Sequence, residues 1–102
     1  MMKLLMITAI EAFEKDIKFL LKKSKITTFS YTDIKGYRDI TEESVEDNWF
    51  ASEMNESQSI IFYAFVPKEN ADNLFNVVNE FNEQQRTKSK VHVVVLNIEK
   101  SN

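Results

Sequence analysis

Apolar and polar positions along the chain follow two different periods. Residues 3–10 and 26–35 are rich in β-branched, apolar and aromatic side chains, which is typical of strands. Residues 59–66 and 91–98 are two further apolar runs of strand length. The pattern therefore predicts four β-strands, with the second more polar on one side than the others.

Two segments between these strands have the helical period. Residues 11–23 place four apolar side chains on one helix face, namely Phe13, Ile17, Leu20 and Leu21. Residues 70–83 do the same with five, namely Ala71, Leu74, Phe75, Val78 and Phe81. The resulting order β-α-β-β-α-β predicts an α+β, ferredoxin-like fold: a four-stranded antiparallel sheet with two helices on one face.

Two helices can cover only one face of such a sheet, so a monomer would have polar residues on the other face. Three of the four strands are instead apolar on both faces. In residues 59–66, for example, Ile60 and Phe62 alternate with Ile61 and Tyr63. We therefore expect a homo-oligomer whose sheets face each other. The alternative is a ligand cavity under the sheet.

Composition limits the class of protein. The 102 residues fit a single domain, 1–102, and the absence of cysteine excludes disulfides, zinc–thiolate sites and thiol nucleophiles. The net charge of −3 argues against nucleic-acid binding, which usually needs a basic surface. No apolar run approaches the roughly 18 residues of a membrane helix, so we expect a cytoplasmic protein that does not span a membrane.

One segment, residues 38–57, departs from the pattern of strands and helices. It contains seven acidic residues and one basic residue, so its net charge of −6 leaves +3 for the rest of the chain. A connection of this length in a compact domain is usually functional. We expect a loop whose ends extend the flanking strands into a hairpin.

The residues that lead into this acidic segment resemble a known family. They read Ile34-Lys35-Gly36-Tyr37-Arg38. This stretch resembles the junction at which the second strand of PII-type signal-transduction proteins enters the long T-loop, and the order of elements over residues 3–98 matches that family. Gly36 is the only glycine of the chain, and we expect it to take a positive φ where the strand ends.

The resemblance implies a non-enzymatic homotrimer that senses a small effector, of nucleotide type or a metal ion, in clefts between subunits. The effector-binding residues that it implies are Lys35, Gly36, Tyr37, Arg38, Lys88 and Lys90. The T-loop-like insertion 38–57 would signal to a partner, such as a membrane transporter or an enzyme. Its implied contact residues are Asp39, Glu42, Glu46, Trp49 and Phe50.

The chain differs from PII proteins in its phosphate loop. Thr87-Lys88-Ser89-Lys90 stands where the family has Gly-Asp-Gly-Lys, and without the glycines the backbone cannot approach a phosphate closely. The family's C-terminal arginines and its modified T-loop tyrosine are also missing. The cofactor therefore stays open: these differences disfavour a nucleotide, and a metal ion is the alternative.

The residues of the insertion also have simpler interpretations. The cations at its base either bind an anion or pair with its own acidic residues. Those acidic residues either form a solvated loop or bind a divalent cation. Trp49 and Phe50 either anchor the segment on the protein or form the centre of a partner contact.

His92, the single histidine, is a candidate metal ligand together with Met6, or a hydrogen-bonded structural residue at a subunit interface. Two other functions stay open. In a CutA-like divalent metal-binding protein, copper or zinc binding would depend on His92. In a dimeric ferredoxin-like oxygenase, a closed apolar cavity would lie beside His92 or Trp49.

Overall fold

A computed structural model describes residues 1–37 and 56–102 of the chain. The elements are strand β1 (Met2–Ile10), a 3-10 turn (Glu11–Phe13), helix α1 (Glu14–Lys23), strand β2 (Ser30–Tyr37), strand β3 (Glu56–Pro67), helix α2 (Lys68–Glu83) and strand β4 (His92–Asn97). This order confirms the predicted β-α-β-β-α-β arrangement. Neither helix in these two ranges is long and apolar enough to cross a membrane.

The four strands form one antiparallel sheet in the order β2-β3-β1-β4. The central pair, β1 and β3, runs in register from Met2 opposite Pro67 to Ile10 opposite Ser59. β2 and β4 are therefore the edge strands. The central strands are apolar on both sides, although the two helices pack against one face only.

The core lies between one sheet face and the two helices. Alternate residues of β1 and β3, such as Leu5 and Phe62, are almost completely buried there, together with Ile17 of α1 and Leu74 of α2. The Phe62 ring stacks on Tyr31 with 5.0 Å between centroids. Burial of these apolar side chains is the main favourable contribution to folding.

The prediction for one residue of the second helix is wrong. Phe75 was expected on the apolar face of the second helix, but its side chain is 42% exposed. The buried positions of α2 are Ala71, Leu74 and Val78. Phe75 lies one position beyond Leu74, about 100° around the helix, which places it at the edge of this stripe.

The positive φ predicted for Gly36 is also wrong. Gly36 is an ordinary residue of β2, opposite Ser57, and among the described residues the positive φ belongs to Lys25 at 62°. Lys25 lies two residues beyond the end of α1, and the Ile26 N–H that follows it donates to the Leu21 carbonyl at 2.9 Å. Ile26 is buried against the core, and β2 begins four residues later, at Ser30.

The sheet face opposite the helices has no covering layer within the described chain, and we call it the open sheet face. Its apolar residues include Leu4 and Met6 of β1, Ile61, Tyr63 and Phe65 of β3, and Val94 and Leu96 of β4. The most exposed is Phe65, at 62%. The second apolar face predicted from the sequence is therefore present.

Candidate functional site

A pocket of about 380 Å³ lies at one end of the sheet, where β1, β2 and β3 come together. It is lined by Glu11, Asp33, Ile34, Lys35, Gln58 and Ser59. Of these, Asp33, Ile34 and Lys35 belong to β2, whereas Gln58 and Ser59 belong to β3. The volume suits a small organic molecule, which typically needs about 300–1,000 Å³.

The register of the sheet positions these side chains. Ser59 of β3 lies opposite Ile10 on one side and opposite Ile34 on the other, so the three strands share this rung. Glu11 follows directly after Ile10, in the 3-10 turn. Lys35 lies opposite Gln58 on the next rung. The pocket is therefore built by strand pairing, and the 3-10 turn contributes Glu11 to its lining.

The pocket has mixed charge. Glu11 and Asp33 supply carboxylates that accept hydrogen bonds, and Lys35 supplies an ammonium that donates them. The side-chain amide of Gln58 can do both. All of these side chains except that of the buried Ser59 are accessible. This arrangement can bind a polar ligand that carries an anionic group and also hydroxyl or amino groups.

The structure brings together part of the predicted effector site. Lys35 lines the pocket, Gly36 is buried on the following rung, and Tyr37 is exposed where β2 ends. Arg38 lies outside the described residues.

Lys88 and Lys90 precede β4, on the opposite edge of the sheet from Lys35. Three strand spacings, about 14 Å, separate those edges, so one chain does not gather all the predicted residues. Lys90 Nζ donates to the Asn82 carbonyl at the end of α2, at 3.0 Å, whereas Lys88 is exposed. Both lysines are nevertheless at the same end of the sheet as the pocket, because His92 lies opposite Thr8 near the end of β1.

The predicted partner-contact residues, Asp39, Glu42, Glu46, Trp49 and Phe50, all lie outside the described residues. The strands that flank them extend as expected. The β2–β3 ladder continues to Tyr37 opposite Glu56, so the last two residues of the predicted insertion belong to β3. The chain therefore enters and leaves residues 38–55 from two paired strands.

His92 lies on the open sheet face, opposite Thr8. Its side chain is half-buried and has an interaction partner, and burial lowers the pKa of its imidazole. Met6, the predicted second ligand, shares this face but lies opposite Val94 rather than His92. Over residues 1–37 and 56–102 no three residues among His, Cys, Asp and Glu are grouped closely enough to hold a metal ion.

Of the six pocket residues, the sequence analysis predicts only Lys35 as a site residue. The exposed polar residues that it misses are Glu11, Asp33 and Gln58. The alternation of β2 contained a signal for one of them, because Asp33 and Lys35 are two positions apart and share a sheet face. The other two depend on the register between strands distant in sequence. That register cannot be read from one chain's periodicity.

The chain was compared with protein families and with curated proteins by sequence. No protein-family model matches the sequence. No curated protein matches it either.

Solved structures do match the fold. CPII, a nitrogen regulatory PII-like protein from Thiomonas intermedia K12 bound to ADP, AMP and bicarbonate, is 18% identical, with a TM-score of 0.64 over 99% of this chain and 96% of that one. GlnK of B. subtilis in complex with ATP is 16% identical, with a TM-score of 0.62 over 93% and 81%. A DUF3240 family protein from Shewanella baltica OS155 is 15% identical, with a TM-score of 0.66 over 99% and 93%. The chain therefore has the fold of PII-like proteins, as the sequence resemblance predicted.

Proposed function

We propose that this protein is a non-enzymatic PII-like regulatory protein that binds a small effector and signals to a partner protein. The position of the pocket is the observation that supports this proposal. Lys35 and Gln58 line the pocket as one rung of the β2–β3 ladder. Two rungs farther, at Tyr37 and Glu56, the same ladder leads into residues 38–55. A ligand in the pocket therefore acts at the base of the segment proposed to contact the partner.

The assembly in this proposal is a homotrimer formed through the open sheet face. That face exposes aromatic and aliphatic side chains, including Tyr63, Phe65 and Leu96. Their burial in an interface would be favourable because it removes apolar surface from water. In a closed ring, opposite edges of neighbouring sheets come close to each other. Lys88 and Lys90 of one subunit then approach the pocket of the next, which completes the predicted site.

The effector in this proposal is a small molecule of nucleotide type or a metal ion. Two structures of the same fold contain nucleotides, ADP and AMP in one and ATP in the other. Because residues 87–90 lack the phosphate-loop glycines, side chains rather than backbone amides hold the anionic group here. Lys35 supplies that contact, and Glu11 and Asp33 accept hydrogen bonds from the rest of the ligand.

The signalling step in this proposal uses residues 38–57. Their acidic side chains, including Asp39, Glu42 and Glu46, favour a partner with a basic surface, and Trp49 and Phe50 supply apolar contact area. The partner is a transporter or an enzyme that this protein regulates from the cytoplasm.

Native mass spectrometry of gently purified protein tests the assembly. We expect a species of three times 12.0 kDa, with any retained effector visible as added mass. A stable monomer would contradict the assembly. A dimer would contradict it as well and would favour the oxygenase-like arrangement instead.

Calorimetric titration tests the effector site. The panel contains ADP, AMP, ATP and bicarbonate, each with and without magnesium, and the metal ions alone. We expect Lys35→Gln to weaken binding of the effector by tenfold or more, and Lys100→Gln, at an exposed lysine near the chain end, to leave it unchanged. Equal affinities for the two variants would contradict the placement of the site.

His92 supports a second candidate, a CutA-like protein that binds divalent metal ions. It lies half-buried on the open sheet face, where assembly would bring copies of it together with Met6. Stoichiometric copper or zinc binding that His92→Gln abolishes would favour this function. Metal binding that Glu11→Gln reduces, and His92→Gln does not, would assign the metal to the pocket.

A further inference from the structure

A groove of about 260 Å³ runs between α1 and α2 on the side of the helices away from the sheet. Four apolar side chains line it, Phe19, Leu20, Val77 and Phe81, with Asp16, Lys23, Glu80 and Gln84 around them. Phe19 is 65% exposed, although an aromatic side chain of this size is usually covered. The open sheet face lies on the other side of the molecule, so assembly through that face leaves this groove uncovered.

The α1 wall of the groove is a single stripe of four residues, Asp16, Phe19, Leu20 and Lys23. Their spacing of i, i+3, i+4 and i+7 places them in line along one face of the helix. The stripe is symmetric about its centre, with two apolar residues in the middle and opposite charges at equal distances on either side. Asp16 and Lys23 are about 10 Å apart along the helix axis.

Both charged ends of the stripe are available. Asp16 and Lys23 are exposed, and neither forms an ion pair within the described chain. Lys18, by contrast, is bound to Glu14 at 2.8 Å. Phe19 is the exposed apolar residue of the stripe, since Leu20 is buried against the core. An unpaired charge on either side of an exposed phenylalanine is the arrangement expected of a polar rim around an apolar contact.

We propose that this groove binds a second copy of the same chain through a two-fold contact between antiparallel α1 helices. In a two-fold interface the same patch is used on both subunits, so residue i contacts j and j contacts i. Asp16 of each copy then meets Lys23 of the other, and the two Phe19 side chains fill the centre. The antiparallel arrangement also aligns the helix dipoles favourably.

The symmetry of the charges favours a second copy over a foreign segment. An unrelated partner would need a negative and a positive group at matched distances from an apolar residue, whereas a copy of α1 has that arrangement by construction. The contact joins assemblies formed through the open sheet face into pairs. Loss of the α1 contact would leave single assemblies, whereas loss of the sheet contact would change the mass of the assembly itself. The two failures are therefore distinguishable by mass.

Sedimentation equilibrium of the full chain over a range of protein concentrations tests the contact at low and high salt. We expect a species with twice the mass of one assembly. It should dissociate on dilution, and its association should weaken with added salt. Phe19→Ala is expected to raise its dissociation constant by tenfold or more, whereas Phe75→Ala, a matched exposed phenylalanine of α2 outside the groove, leaves it unchanged. A single mass at all concentrations would overturn the proposal.

Charge reversal supplies the decisive control. Each of the variants D16K and K23E, studied by itself, should no longer form the species of twice the assembly mass, because each places like charges at both contacts of the interface. Mixed in equal amounts, the two variants should pair again, since each contact once more joins opposite charges. Both positions are exposed, so the variants are expected to fold. Doubling that survives in either variant alone, or a mixture that stays unpaired, would overturn the proposal.

Discussion

Asn82 of α2 holds Val91, just before β4, through two hydrogen bonds. Its Nδ2 donates to the Val91 carbonyl at 2.8 Å, and its Oδ1 accepts from the Val91 N–H at 2.9 Å. One amide side chain thus satisfies both backbone groups of a buried residue that has left the helix but not yet joined the sheet. The contact fixes where the edge strand begins.

Replacing this side chain should therefore destabilise the fold. Asn82→Ala leaves both backbone groups of Val91 without their partner, and we expect the free energy of unfolding to fall by about 1–3 kcal/mol. Asn79→Ala, at an exposed position of the same helix, is the control and should change it little. Urea denaturation followed by circular dichroism measures both, and equal midpoints would contradict the role given to Asn82.

Phe62 should be far more sensitive than an exposed aromatic residue. Its ring is buried, stacks on Tyr31 and contacts Phe29 with centroids 5.6 Å apart. Phe62→Ala is expected to cost about 3–5 kcal/mol through lost burial and the cavity left behind. Phe75→Ala should cost much less, about 1 kcal/mol, because that side chain is already 42% exposed in the folded protein. Chemical denaturation gives both values, and a similar cost for the two would show the core to be misplaced.

The open sheet face should tolerate a charge in the folded monomer but not in the assembly. Phe65 is 62% exposed, so Phe65→Glu is expected to keep the far-ultraviolet circular dichroism spectrum. Burying that carboxylate between two sheets would be costly, and the variant should therefore run as a monomer in size-exclusion chromatography. An unchanged elution volume would show that other residues form the interface. Phe75→Glu, on the helix side, is the control.

His92 should make stability depend on pH. Burial lowers the pKa of its imidazole below the ordinary 6.5, so the unfolded chain takes up a proton first as pH falls. The contribution of the neutral imidazole is complete above pH 6.5. It decreases as pH falls from 6.5 through the lowered pKa.

His92→Gln isolates this effect from that of the carboxylates. We expect the urea midpoint of the unchanged protein to fall more between pH 8 and pH 5 than that of the variant. Identical falls would show that His92 does not contribute, and a smaller fall in the unchanged protein would reverse the sign.

Periodicity predicted the strands and helices well. It failed where tertiary contacts determine the length of a strand or the burial of a side chain. Residues 59–66 read as a strand, but pairing with β1 and β2 lengthens it to Glu56–Pro67. Phe75 fits the helical stripe by spacing, yet it lies at the edge of the buried positions of α2 and is 42% exposed. The alternating sides of β1 and β3 were predicted correctly, because side chains in any strand alternate regardless of register.

The candidate site was less predictable for the same reason. Lys35 was found because it stands in a local stretch that resembles a loop junction. Glu11 and Gln58 join it only because Ser59 lies opposite both Ile10 and Ile34, and that relation connects three distant parts of the chain.

The pairing of Tyr37 with Glu56 has a thermodynamic consequence. Under the proposed function, an effector that orders the rungs beside the pocket also stabilises the ladder through which the chain enters residues 38–55. Linkage is reciprocal. If the effector changes the affinity of the partner protein for that segment by some factor, the bound partner changes the affinity of the effector for the pocket by the same factor. The regulated partner would thereby set the effector concentration at which this protein responds.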